Sequence, residues 1–233
     1  MSEAPQSTTR LNKFLAHAKG LSRRAADELI EAGRVAVNGH PALLGAQIHP
    51  EDSITIDGKV IDSSVEYTTL LFNKPVGYVC SRRQQGDTPT IYSLLPPEYQ
   101  ELKPVGRLDK DSSGLILLTN DGDLAYEMTH PKFHKVKIYE VELDAPLQPL
   151  HHQMISDFGV MLPDGKSKFE LERLEEESNT SWRITMSEGR NRQIRRTFAA
   201  LGYTVVALHR TQFGPYNLSD LAEGALKPLT LAK

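Results

Sequence analysis

The residues best suited to chemistry in this 233-residue chain cluster around one carboxylate. Positions 106 to 122 read Gly-Arg-Leu-Asp-Lys-Asp-Ser-Ser-Gly-Leu-Ile-Leu-Leu-Thr-Asn-Asp-Gly, which places Asp109 in a polar, basic turn just before the apolar run Leu115 to Leu118. Such a run reads as a strand covered on both faces, closed by the turn residues Asn120, Asp121 and Gly122. A carboxylate carried by so rigid a support can work as a nucleophile or as a base. Arg107 adds a cation, and Ser112, Ser113 and Gly114 add hydroxyls and a close backbone approach for a polar substrate.

Other chemistries fit less well. Asp109, Asp111, Asp121 and Asp123 lack a calcium-loop spacing. His130 and His134 stand four apart, but Pro131 breaks the helix that would align them. A metal-free glycosidase needs a second carboxylate across the scissile bond, and Asp111 is too close along the chain for that. No glycine-rich phosphate loop or dinucleotide fingerprint occurs, so neither a metal nor another cofactor is expected.

The elements that must position Asp109 fall into two modules. From residue 9 to 61, Leu11, Phe14, Leu15 and Ala18 mark one helix, ended by Gly20; Ser22 caps a second, marked by Ala25, Ala26, Leu29 and Ile30 and stopped by Gly33. Short strands at Arg34 to Val37 and Ser53 to Ile56 then lead into the tight-turn pairs Asn38-Gly39 and Asp57-Gly58. Residues 1 to 8 form a disordered tail, and the polar stretch 62 to 68 a linker. From 69 to 233, strand-like runs (Thr69 to Asn73, Leu115 to Thr119, Lys137 to Leu143, Trp182 to Met186, Val205 to Ala207) mix irregularly with helices near Asp123 to Thr129 and Asn191 to Leu201. That mixture indicates an α+β fold with a mixed, largely antiparallel sheet.

Composition is ordinary, with 39% hydrophobic and 24% charged residues. No apolar run approaches the ~18 residues of a membrane span and no secretory leader is visible, so a cytoplasmic protein is expected. Its one cysteine, Cys80, excludes an internal disulfide and agrees with a reducing compartment. A monomer is the simplest expectation.

A net charge of −3 is awkward for a nucleic-acid partner, yet its distribution is uneven. Residues 8 to 34 hold six cations, Arg10, Lys13, Lys19, Arg23, Arg24 and Arg34, against three anions. Residues 188 to 210 hold five, Arg190, Arg192, Arg195, Arg196 and Arg210, against Glu188. These patches suit either a defined RNA site or solvated helix faces. Arg23 and Arg24 oppose the dipole of the helix they begin, a placement that a docked phosphate would reverse into an advantage.

The Gly106-to-Leu115 segment, together with Asn73-Lys-Pro-Val-Gly-Tyr78, Lys137-Ile-Tyr139 and Glu188-Gly-Arg-Asn-Arg-Gln-Ile-Arg-Arg196, resembles the signature of the RsuA/RluB-type RNA pseudouridine synthases. The likeness runs from about residue 9 to the C-terminus. It implies a mixed-sheet catalytic domain with its cleft across the middle, and a helix-helix-hairpin, αL-type RNA-binding module before it. It implies that Asp109 is the catalytic aspartate, that Tyr139 stacks on the target uracil and accepts the carbon-five proton, and that Arg190, at the start of its helix, pairs with Asp109. Arg107 would fill the gap left by the flipped nucleotide, Asn73, Lys74 and Tyr78 would line the cleft, and Arg192, Arg195 and Arg196 would lie nearer RNA phosphate. The implied substrate is a uridine in structured ribosomal RNA. The rival reading is a non-catalytic RNA-binding or ribosome-associated factor on the same scaffold.

Overall fold

The computed structural model describes residues 8–62, 67–84, 86–176 and 178–229. The expected tail up to position 7 and most of the expected linker, positions 63 to 66, lie outside them. Two compact units divide at Tyr67 and Thr68.

In the first unit, β1 (Thr9–Arg10) leads into α1 (Leu11–Ala18), followed by α2 (Arg23–Glu31). The Ser22 hydroxyl caps α2 by accepting from the Ala25 amide at 3.0 Å. Gly20 and Gly33 take φ of +65° and +68° after the two helices, a conformation that glycine adopts without a Cβ clash. Next come β2 (Val35–Val37), β3 (His40–Pro41), β4 (Gln47–Ile48), β5 (Ile54–Ile56) and β6 (Lys59–Val60). Antiparallel β3-β2-β5-β6 form one sheet and β1-β4 a small second one. Asn38-Gly39 and Asp57-Gly58 both have positive φ, as the two-residue turns of these hairpins require. Leu11, Leu15, Ala26, Ile30, Val35, Ile48 and Ile54 make the core.

The second unit contains β7 (Thr69–Lys74), β8 (Lys103–Val105), β9 (Ser113–Thr119), α3 (Gly122–Thr129), β10 (Lys137–Leu143), α4 (Pro149–Gln153), β11 (Val160–Leu162), β12 (Gly165–Ser167), β13 (Glu170–Arg173), β14 (Ser181–Met186), α5 (Gln193–Ala199), β15 (Val205–Phe213), β16 (Tyr216–Asn217) and β17 (Leu226–Pro228). Its main sheet runs β13-β14-β10-β15-β9-β7-β17, with β8 beside β9 and β16 beside β15. The pairing of β15 with β9 is parallel and the others are antiparallel, giving the mixed sheet of an α+β fold.

β9 is covered on both faces. Ile116 and Leu118 enter one core cluster and Leu115 and Leu117 another, all fully buried. The Asp109 loop therefore leads directly into a strand buried at every position after Ser113. No helix among the described residues is long and apolar enough to cross a membrane.

Candidate active site

A cavity of about 900 Å³ opens along the C-terminal half of β15 and is lined by Arg107, Asp109, Lys137, Tyr139, Glu188, Arg192 and Arg210 among others. Three strands bring the site together. The loop before β9 supplies Asp109, β10 supplies Tyr139, and β15 lies between them with Arg210 opposite Tyr139 in the register.

The Asp109 loop is held from below. Lys74, fully buried, donates from Nζ to the carbonyls of Pro75 (2.8 Å) and Ser112 (2.7 Å). The Gly77 amide donates to the Lys110 carbonyl at 2.7 Å, and the Leu108 amide to Cys80 Sγ at 3.5 Å. Burial lowers the Lys74 pKa and raises that of Cys80. From above, Arg192 forks onto both Asp111 oxygens at 3.0 Å, while Arg195 donates to the Asp111 carbonyl at 2.7 Å. These contacts, led by the Arg192 hydrogen bonds, hold the Asp111 carboxyl below the usual range. Asp109 stays partly exposed, with Arg192 Nη1 at 3.6 Å from Oδ2.

Several residues sit where the sequence did not place them. Arg190 does not pair with Asp109: its guanidinium faces the β11–β12 hairpin and donates to the carbonyls of Asp164, Gly165 and Lys166 and to Asp164 Oδ1. The helix begins at Gln193, so Arg190 lies in the preceding loop, and Arg192 turns the chain with left-handed φ +46° and ψ +33°. That turn separates two guanidinium groups only two residues apart, and Arg192 is the one that reaches Asp109.

Arg195 is mostly buried and committed to Asp111 and to the Val205 carbonyl, and Arg196 forks onto Asp164 at 3.0 and 2.7 Å. Both therefore have internal partners, rather than standing free for phosphate. Lys74 has no exposed surface with which to meet RNA. Asn73 is buried too, its amide donating to the Leu221 carbonyl at 2.8 Å, and Tyr78 packs on the core; none of the three lines the cavity. The apolar environment of β7 and its turn claims all of them as supports.

Arg107 is exposed on the cavity rim, and Asp111, the acid that could have tied it down, is taken by Arg192 and Arg195. Tyr139 is 8% exposed on the cavity wall. In the first unit Arg10, Arg23 and Arg24 are exposed and Lys13 is half-buried; Arg23 and Arg24 have no acidic partner among the described residues.

Sequence reasoning missed Lys137 as a cavity residue, although its place two positions before Tyr139 puts it on the same strand face. Burial and then the Arg210 charge lower its pKa, while Glu188 opposes the shift. It also missed Arg210 as a cavity residue, marking it only as a cation of the 188 to 210 patch, beyond the strand-like run read as Val205 to Ala207.

Comparison with known proteins matches residues 68–200 to the RNA pseudouridylate synthase family model and residues 9–54 to the S4 domain model. The ribosomal small subunit pseudouridine synthase A of Pasteurella multocida is 40% identical over 224 residues, covering 95% of this chain and 96% of that protein. The ribosomal large subunit pseudouridine synthase B of Bacillus subtilis is 36% identical over 227 residues, covering 95% and 92%. A solved structure described as a pseudouridylate synthase superposes with a TM-score of 0.67 at 37% identity, covering 95% of this chain and 96% of its own. With Asp109 and Tyr139 lining one cavity, and with both family models matched in order, this chain belongs to the RNA pseudouridylate synthase family.

Proposed function

We propose that this protein isomerises a uridine of ribosomal RNA to pseudouridine, with Asp109 as the reacting carboxylate. The observation that carries the reading is the position of Asp109, partly exposed on the cavity with one guanidinium at 3.6 Å and its loop fastened on both sides. The glycosidic bond between C1′ and N1 breaks, the uracil turns, and C5 bonds to C1′. The proton lost from C5 is balanced by one gained at N1, so no atom is added and no energy source is needed. Asp109 either attacks carbon or removes the C2′ proton to give a glycal. Tyr139 would stack on the uracil, and Arg107 would occupy the place of the flipped base.

Residues 9–61, the helix-helix-hairpin module, would hold the RNA through Arg10, Lys13, Arg23 and Arg24, and residues 69–233 would perform the chemistry in the cytoplasm as a monomer. Small-subunit RNA is the favoured substrate, because the relative from Pasteurella multocida bears that name at higher identity than the large-subunit relative.

Tritium release from ribosomal RNA labelled at uracil C5 tests the proposal. Wild type should release it, and Asp109→Asn should lose at least about 1,000-fold in rate with RNA affinity kept within about threefold. An active asparagine variant would refute the role of Asp109; wild type silent on both subunits' RNA would favour the binding-factor reading.

A further inference from the structure

Arg210 is 2% exposed and, with Lys74, is one of two buried cationic side chains among the described residues. Lys74 is satisfied by two carbonyls. Arg210 is not: of its five N–H donors, only Nε has a hydrogen bond among the described residues, to the Leu115 carbonyl at 2.7 Å, and Nη2 is enclosed without a partner. Among the described residues no carboxylate pairs with it, although Arg190, Arg192, Arg195 and Arg196 all have one. A guanidinium removed from water without a counter-charge is costly, and its charge remains available to whatever enters beside it.

Its place is fixed by backbone geometry. β15 runs between the strand that follows Asp109 and the strand that carries Tyr139. Arg210 pairs with Gly114 on one side and Tyr139 on the other. A Cβ on Gly114 would lie 2.3 Å from the Arg210 carbonyl oxygen, so the close approach of the two strands depends on glycine there. Directly opposed residues share a sheet face, and the Arg210 guanidinium carbon lies 6.0 Å from the Tyr139 ring centroid and 4.7 Å from that of Phe213. Aromatic faces hold a cation without neutralising it as a carboxylate would. All three side chains line the cavity that Asp109 faces.

We propose that Arg210 is a further catalytic residue, donating a hydrogen bond to a carbonyl oxygen of the flipped uracil and stabilising the negative charge that the base acquires when its glycosidic bond breaks. The proposal rests on the isomerase reading above. In either route available to Asp109, the C1′–N1 electron pair leaves with the base and spreads onto the ring carbonyl oxygens. A fixed, desolvated cation next to those oxygens acts on charge that develops in the transition state and is weaker in the resting substrate. The charge is discharged when C5 bonds to C1′ and loses its proton while N1 gains one. Arg210 gives up no proton.

The test compares wild type, Arg210→Lys and Arg210→Gln in single-turnover reactions on a ribosomal RNA fragment carrying uridine or 5-fluorouridine at the target position, following loss of the starting nucleoside. Fluorine withdraws electrons and stabilises the uracil anion without the enzyme's help. We expect Arg210→Gln to lose at least about 100-fold in rate on uridine, with RNA affinity within about threefold and an unchanged unfolding transition. The deficit on 5-fluorouridine should be at least about tenfold smaller, and lysine should recover part of the rate. Equal deficits on the two substrates, or a loss confined to affinity, would overturn the proposal and leave Arg210 a structural support. Wild type inactive on uridine would instead overturn the isomerase reading. Should both variants misfold, wild type titrated with 5-nitrouracil, an anion at neutral pH, should bind it at least about tenfold more tightly than neutral uracil; equal affinity would sink the proposal.

Discussion

Asp111 is the neighbour that fixes Asp109, the proposed reacting carboxylate, in place. Its two oxygens take the Arg192 fork and its carbonyl takes Arg195, so α5 is pinned to the loop one turn away from Asp109. Its folded pKa is depressed, chiefly by the Arg192 hydrogen bonds. The stability that it contributes is therefore fully present above the unfolded value of ~3.9 and is lost as pH falls through the lower folded value. Because Asp111 is nearly half exposed, that contribution is about 1 kcal/mol or less after screening. Asp111→Asn should lower the unfolding midpoint at pH 7, and the difference from wild type should vanish when both are acidified well below pH ~3.9. A difference that persists there would mean that Asp111 stabilises by packing, independently of its charge.

At the scale of elements, the site depends on the parallel junction of β9 with β15. Gly114 has φ +104° and touches the Arg210 backbone, so Gly114→Ala both strains the residue and forces the strands apart. A loss on the order of 3 kcal/mol in urea unfolding is expected, with activity falling in the molecules that remain folded. Elements with a clean pattern were legible in the sequence: β10 spans Lys137–Leu143, the run read as a strand, and Ser22 caps the helix that it precedes. β15 was read only as far as Ala207, because His209, Arg210 and Gln212 interrupt its apolar character, and of these Arg210 lines the cavity. The exchange of Arg190 for Arg192 was illegible for a different reason. One left-handed residue before α5 reorients every side chain upstream, and arginine gives no warning of it. Lys74 and Asn73 looked like surface chemistry because polarity alone cannot distinguish a cavity lining from a buried brace.

For the molecule as a whole, net charge says little and its partition a great deal. On the proposed function, an acidic chain with Arg10, Arg23 and Arg24 exposed at one end of the sequence and a carboxylate-bearing cavity in the other unit would separate holding RNA from reacting with it. Arg23→Glu with Arg24→Glu should cut ribosomal RNA affinity by about tenfold or more and flatten its salt dependence, leaving the rate at saturating RNA unchanged. Binding isotherms at two salt concentrations alongside single-turnover rates would check it. Equal affinity would remove these two residues from the RNA interface.

Lys74 gives the Asp109 loop a second identity, as the cover of a sheltered amine. Burial lowers the pKa of its amine, yet the amine faces no solvent while Ser112 stays in place. Acylating metabolites or reagents that mark surface lysines reach Lys74 only when that loop lifts. Once acylated, the amine could no longer supply the charged donor on which the loop rests. Covalent damage at this position would thus record moments of loop opening and make them permanent.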